Sequence, residues 1–190
     1  MRYREARAED ADPIAQLHAD SWRRTYRGAF SHSFLEGPAV LTDRRAIWTE
    51  RLTQRDPSSY TVVADEHGAV VGFAHTRFDD DPVWGALVDN LHVVHDLKRC
   101  GIGRHLMAES ARAVVARRAQ SGMFLWVLQQ NTAAQAFYES IGGSRAGEGV
   151  SAPPGGGSVP TFRYAWPEPA RLSPPANGVP PRQTPHQNVF

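Results

Sequence analysis

Apolar residues change their spacing several times along this chain, and each change marks an element. Residues 3–6 read as a short strand, and Glu9, Asp10 and Pro13 suit the first turn of a helix. Ile14, Leu17, His18, Ser21, Trp22 and Tyr26 then recur at helical spacing, which predicts an amphipathic helix with two aromatics near its end. A second helix is predicted over residues 41–53, with Leu41, Trp48 and Leu52 on one side. Residues 60–64 and 69–77 read as strands of a hairpin turning at Asp65-Glu66-His67-Gly68, and residues 79–82 as loop. A strand over 86–94 is followed, after two glycines, by a long helix over 102–119. The unbroken apolar run 123–128 predicts a buried strand, and Ala134, Phe137, Tyr138 and Ile141 fall at i, i+3, i+4, i+7 on a short helix. A last strand covers 159–166. The order β-α-α-β-β-β-α-β-α-β, with room for one more strand after Gly143, predicts a mixed α/β (α+β) domain.

Composition sharpens the boundaries. Half of the 14 prolines lie in residues 167–190, where apolar side chains are sparse. Such a stretch buries too little surface to offset its ordering entropy, so it is expected to be a disordered tail after a folded domain of residues 1–166. Residues 151–158, Ser-Ala-Pro-Pro-Gly-Gly-Gly-Ser, are expected to be a flexible loop. With 21 basic and 20 acidic side chains, the chain offers no basic surplus for nucleic acid or an anionic membrane. No run approaches the roughly 18 apolar residues of a membrane span, and the first residues lack the apolar core of a signal peptide. A cytoplasmic protein is expected. The lone cysteine, Cys100, fits a reducing compartment and excludes a multi-cysteine metal site. All basic residues but one are arginine; the single lysine is Lys98.

Two segments carry chemistry. In Lys98-Arg99-Cys100-Gly101-Ile102-Gly103-Arg104, glycines at a strand-to-helix junction let a ligand approach the backbone. The first helical N–H groups there have no internal acceptors, which suits a phosphate or pyrophosphate; a tight turn is the structural alternative. Leu106 stands where a dinucleotide fingerprint needs its third glycine, and no Gly-Lys-Ser/Thr follows. The second segment is Asn131-x-x-Ala134-x-x-Phe137-Tyr138-x-x-x-Gly142-Gly143. Asn131 suits a helix N-cap and the glycines its exit, while the phenol of Tyr138 is a candidate proton donor.

Together, in this order, the two segments resemble the GCN5-related N-acetyltransferase (GNAT) superfamily. Its acetyl-CoA loop, Arg/Gln-x-x-Gly-x-Gly/Ala, reads Lys98-x-x-Gly101-x-Gly103 here, and Leu91-His92-Val93 resembles its Leu-x-Val strand. The likeness covers residues 1–166. Two positions depart from it: Lys98 keeps a cation but loses the planar fork of arginine, and Gly143 replaces an aromatic. The resemblance implies a GNAT-type, mostly antiparallel central sheet flanked by helices. It implies acetyl-CoA as co-substrate, its pyrophosphate on the backbone of Lys98, Arg99, Cys100, Gly101, Ile102, Gly103 and Arg104, and its pantetheine arm along Leu91, His92 and Val93. A backbone N–H near Val93 would polarise the thioester carbonyl, Asn131 would contact the arm, and Tyr138 would protonate the departing thiolate. The acceptor would be a primary amine of a small molecule or peptide attacking directly. The resemblance also leaves a homodimer open.

The amine needs a proton acceptor. Asp89 shares strand parity with Leu91 and Val93 and is the first candidate; His92 has the opposite parity and needs a bulge to re-aim it. His92 and His95 complete no metal-ligand motif, so no metal is expected. The aromatics of the first two helices, Trp22, Tyr26, Phe30, Phe34 and Trp48, read mainly as core, with one or two available to an acceptor. The rival class is a non-catalytic acyl-CoA-binding sensor or interaction module on the same fold, which has no use for an acid at Tyr138.

Overall fold

The computed structural model describes residues 1–118, 121–152 and 157–172. Seven strands, β1 (Arg2–Glu5), β2 (Ser59–Glu66), β3 (Ala69–Asp81), β4 (Gly85–Val93), β5 (Met123–Leu128), β6 (Ser144–Ser151) and β7 (Val159–Trp166), form one sheet. Their order is β1-β2-β3-β4-β5-β7-β6. Every pairing is antiparallel except β4 with β5, which are joined by the crossover helix α4 (Ile102–Arg117). The other helices are α1 (Ala11–Thr25), α2 (His32–Glu36), α3 (Ala39–Gln54) and α5 (Thr132–Ser140). The mixed, mostly antiparallel architecture expected from the periodicities is the one observed.

Alternation along the strands divides the core into two layers. Val63 and Phe73 point to the side of α1 and α3, where they pack with Ile14, Trp48 and Leu52. Val62, Ala64 and Ala74 point the other way, against Ile102 and Leu106 of α4. Farther along, Met123, Leu125 and Val127 of β5 pack on that second side with Met107 and Ala111 of α4 and with Tyr138 and Ile141 of α5. Helices therefore cover one face along its length, whereas α1 and α3 sit over the half of the other face that holds β2 and β3.

Several boundaries differ from expectation for identifiable reasons. The polar run at 79–82, expected as loop, continues β3 to Asp81, with Asp79 in the left-handed region (φ 51°) at a bulge. Helix α2 has only five residues, too few to show a period, and Ser31 caps it by accepting from the Phe34 N–H. Strand β6 is the further strand for which room was left after Gly143. Beyond Trp166 the chain stays ordered through a turn at Pro169–Arg171, and Leu172 is buried in the core beside α4. The rest of the expected tail, residues 173–190, lies outside the described residues, as do residues 153–156 of the expected flexible loop.

Candidate active site

Strands β4 and β5 pair at only two positions, Ala86 with Met123 and Leu87 with Phe124, and then splay apart. A wedge opens from that apex toward the carboxyl ends of both strands. On its β4 side a register shift opposite His75 and Thr76 of β3 skips Asp89. The bulge reverses side-chain parity: Leu91 and Val93 turn to the α4 side, and His92 turns to the α1 side, paired with Phe73. The re-aiming that His92 required is thus present, but the same bulge overturns the parity expected of Asp89: it meets Arg51 of α3 on the α1 side, while Leu91 and Val93 face α4.

The same register fixes the main-chain edge. The Val94 N–H donates to Val71 O at 2.9 Å, so that group points at β3. In an antiparallel ladder the direction alternates by residue, and the N–H groups of Leu91 and Val93 therefore face the wedge, where β5 has drawn away. Free backbone polar groups along a strand edge need a partner from water or a ligand.

At the wide end of the wedge lies the loop before α4. Arg99 (φ 65°) and Gly101 (φ 81°) adopt left-handed conformations, which turn the chain sharply into the helix. The first bond into the helix is His105 N–H to Gly101 O at 3.0 Å, which leaves the amides of Ile102, Gly103 and Arg104 without a helical acceptor. A Cβ on Gly103 would lie 3.3 Å from Cζ of Phe137, so the glycine allows α5 to close over the start of α4. Cys100 is exposed, and its thiol contacts only Lys98 O, at 3.8 Å. Lys98 is exposed and has no ion pair among the described residues. Across the wedge, Asn131 caps α5 by accepting from the Ala134 N–H at 3.2 Å, which leaves its side-chain amino group free of described partners.

Tyr138 is 9% exposed, with Phe137, Tyr164 and Trp166 around its ring. Burial holds its phenol well above the ordinary tyrosine range, and the nearby Tyr26 phenol adds to the effect. Burial pushes Tyr26, at the end of α1, up to about 12. Both phenols stay protonated through neutral and alkaline pH. The position of Gly143 is also accounted for: a Cβ there would come within 2.5 Å of the Trp166 indole, which fills the space of the missing aromatic.

On the α1 side, Asp89 accepts from Arg51 (3.0 Å) and from the Asn90 side chain (2.6 Å), both at Oδ2. Its Oδ1 has no described donor. His92 Nδ1 lies 2.8 Å from the Ser21 hydroxyl. Burial, followed by the charges of Lys98 and Arg44, pushes His92 down to about 3, so the ring is neutral at any working pH. Behind it, His18 accepts from the Trp48 indole N–H at 3.0 Å and lies 4.5 Å from the His92 ring. Ser21, Arg51 and Tyr26 complete the surroundings. Ser21 and Tyr26 were visible as positions on the first helix, but nothing in the sequence marked Arg51 as the partner of Asp89. No cluster of three or more metal-ligating side chains occurs among the described residues.

A split parallel pair with a loop-to-helix junction at its open end defines a class of acyl-transfer folds, and the comparisons agree with it. The chain belongs to the GNAT acetyltransferase family, whose model matches residues 15–143. It is 30% identical to an uncharacterized N-acetyltransferase, YuaI of Bacillus subtilis, over 76% of this chain and 81% of that protein. The fold matches the PaiA N-acetyltransferase of Thermoplasma acidophilum, solved in complex with coenzyme A. The TM-score is 0.66 at 18% identity, covering 87% of this chain and 98% of that one. A ribosomal-protein-alanine N-acetyltransferase from Brucella melitensis aligns with a TM-score of 0.65 at 20% identity, covering 87% and 99%.

Proposed function

We propose that this protein is an acetyl-CoA-dependent N-acetyltransferase that passes the acetyl group directly to a primary amine. The observation that carries the reading is the unpaired edge of β4 at Leu91 and Val93, facing a wedge with a buried, protonated Tyr138 beside it. Acetyl-CoA supplies the activated acyl group; binding, orientation and proton movement fall to the chain. The amides of residues 100–104, with Lys98, suit a pyrophosphate, and the Leu91 and Val93 edge suits the amides of a pantetheine arm. The Val93 N–H points where it can polarise a thioester oxygen, and the Asn131 amino group can hold the arm. The coenzyme A-bound relative supports this placement by analogy of fold.

The amine attacks in its neutral form. His92, neutral and steered by Ser21, can accept a hydrogen bond from it but is too weak a base to strip an alkylammonium of pKa about 10.4. A carboxylate is also too weak a base to hold that proton, so the free Oδ1 of Asp89 serves to relay it through water to solvent. As the C–N bond forms and the C–S bond breaks, Tyr138 gives its proton to the thiolate and is reprotonated from solvent. A sensor that only binds acyl-CoA has no need of a proton held at that point.

Thiol release from acetyl-CoA across a broad panel of amines tests the reading. Tyr138→Phe should lower kcat by about 10²- to 10⁴-fold while leaving the acetyl-CoA Kd unchanged. Asp89→Asn should lose activity most at neutral pH, with the loss shrinking as pH rises. A fully active Tyr138→Phe protein removes the acid assignment, an Asp89→Asn protein unchanged at pH 7 removes the base, and tight acetyl-CoA binding without any thiol release favours the sensor.

A further inference from the structure

Among the described residues, the α1 side of the sheet is covered over β2 and β3 and bare over β5, β7 and β6. On that bare half, Arg163 of β7 stands directly opposite Trp126 of β5. Its guanidinium carbon lies 4.5 Å from the centre of the Trp126 ring and 4.6 Å from that of Trp84, in the turn between β3 and β4. The two indoles flank the planar ion and leave its N–H edge as the part that can bind. Among the described residues no side chain pairs with that edge: Arg163 makes no ion pair, and its buried Nε meets no acceptor. Asp81 feels the charge from nearby, but its Oδ1 is engaged by the Val83 and Trp84 amides. Strand β6 adds a second, independent feature. Opposite Arg163 and Thr161 it presents Gly147 and Gly149. A Cβ on Gly149 would lie 2.7 Å from the Trp126 ring, so this glycine makes room for the indole beside Arg163.

We propose that Arg163, held between Trp84 and Trp126, is an anion subsite for the acceptor, and that the acceptor is an amine carrying a carboxylate or phosphate at its far end. The inference rests on the acetyltransferase reading above. An arginine held against two indoles is restricted in its motion and so preorganised for bonds to an oxyanion, and an orphaned buried N–H is an incentive to take one. The reach follows from the strands. Trp126 is level with Asp89, two residues past the Leu87–Phe124 pair, and the edge amides at Leu91 and Val93 lie two and four residues farther on. At about 3.3 Å per residue along the strands and at least about 4.8 Å across from β5 to β4, anion and amine are separated by roughly 8 to 14 Å, the span of an extended ω-amino acid rather than of an α-amino acid.

The test compares matched acceptors: ε-aminocaproate with its carboxamide, and aminobutyl phosphate with aminobutanol, the two arms separating carboxylate from phosphate. The wild-type protein should favour at least one anionic member by about 10- to 100-fold in kcat/KM, as charge-assisted bonds to arginine imply. Arg163→Gln should erase that preference through KM and leave the neutral partner unchanged; Arg163→Lys should keep part of it. No preference in the wild type, or an equal loss on both members of a pair, overturns the proposal. A second measurement does not require turnover: quenching of tryptophan fluorescence by the product-like N-acetyl-ε-aminocaproate against its carboxamide. Quenching by the acid that Arg163→Gln abolishes, in a protein that acetylates no amine, would retain the anion site and reject the enzyme; no Arg163-dependent difference rejects the site.

Discussion

On the α1 side of the sheet, the two lips of the wedge follow opposite plans. The β4 lip is roofed by α1 and α3, and its polar groups are drawn inward and paired: His75 Nδ1 lies 2.8 Å from the Thr61 hydroxyl, Trp48 donates to His18, His92 meets Ser21, and Asp89 meets Arg51. Among the described residues under this roof, the His18 Nε2 is left buried without a partner. The β5 lip has no roof among the described residues. Its indole, Trp126, is 36% exposed, and the charge it supports has no ion-pair partner among them. Polar groups under a roof must satisfy one another or be neutral, because water cannot reach them. Those on the open lip can stay unsatisfied until a ligand arrives. The difference separates residues that set the protonation and shape of the site from residues that can choose its substrate.

The largest expected effect is on stability, and it contrasts the two lips directly. Trp48 is fully buried and packs edge-on against Phe73, with ring centres 5.0 Å apart. Trp48→Ala removes that packing and leaves the His18 Nδ1 without its donor, so a loss of about 3 to 5 kcal/mol is expected. Trp126→Ala, on the open lip, should cost less than about 1 kcal/mol. Urea unfolding midpoints measure both; comparable losses would mean that the open lip is core after all.

The next effect is the pH dependence of that stability. Burial lowers His92 to about 3, His75 to about 4, and His18 well below its ordinary 6.5. The charges facing them are Arg44, Arg51, Arg77 and Lys98, offset by Asp56 and Asp89. A histidine depressed in the folded state binds fewer protons there than in the unfolded chain. Its contribution is complete above about pH 6.5 and is lost as pH falls toward the folded value, at up to about 1.4 kcal/mol per pH unit for each ring. For His75 that window runs from about 6.5 down to about 4. His75→Gln, which can keep the bond to Thr61, should flatten the slope of unfolding free energy between pH 6 and pH 4.5 by about one proton. An unchanged slope would show that His75 titrates normally in the fold.

How much of this was legible in the sequence depended on whether a feature was local. Strands β5 and β7 begin and end where their apolar runs do, because a buried strand spells out its own length. The loop glycines and Tyr138 could be read for the same reason: their spacing along one segment carries the geometry. His92 could be read only conditionally. Its direction depends on a skipped residue in the pairing with β3, and register is a property of two strands. The Arg51 partner of Asp89 and the stack around Arg163 had no local signal at all. In a chain whose basic residues are almost all arginine, the one left unpaired between two indoles looks like any other until the strands are laid side by side.

Lys98 carries the smallest effect and sharpens the comparison at the mouth of the wedge. It ends the turn at His95–Leu97, exposed to solvent, at the first position of the loop that leads into α4. A screened cation beside a pyrophosphate contributes about 1 kcal/mol, so Lys98→Ala should weaken acetyl-CoA binding by about fivefold. Two further readouts identify the cause. Added salt should weaken the wild type more than the variant, because only the wild type loses a charge contact to screening. Lys98 also helps to hold His92 neutral, so the variant's His92 should titrate at a higher pH, visible in the imidazole signals by NMR. A variant with unchanged acetyl-CoA affinity but a shifted His92 would place Lys98 with the roofed, tuning side of the wedge rather than with its binding edge.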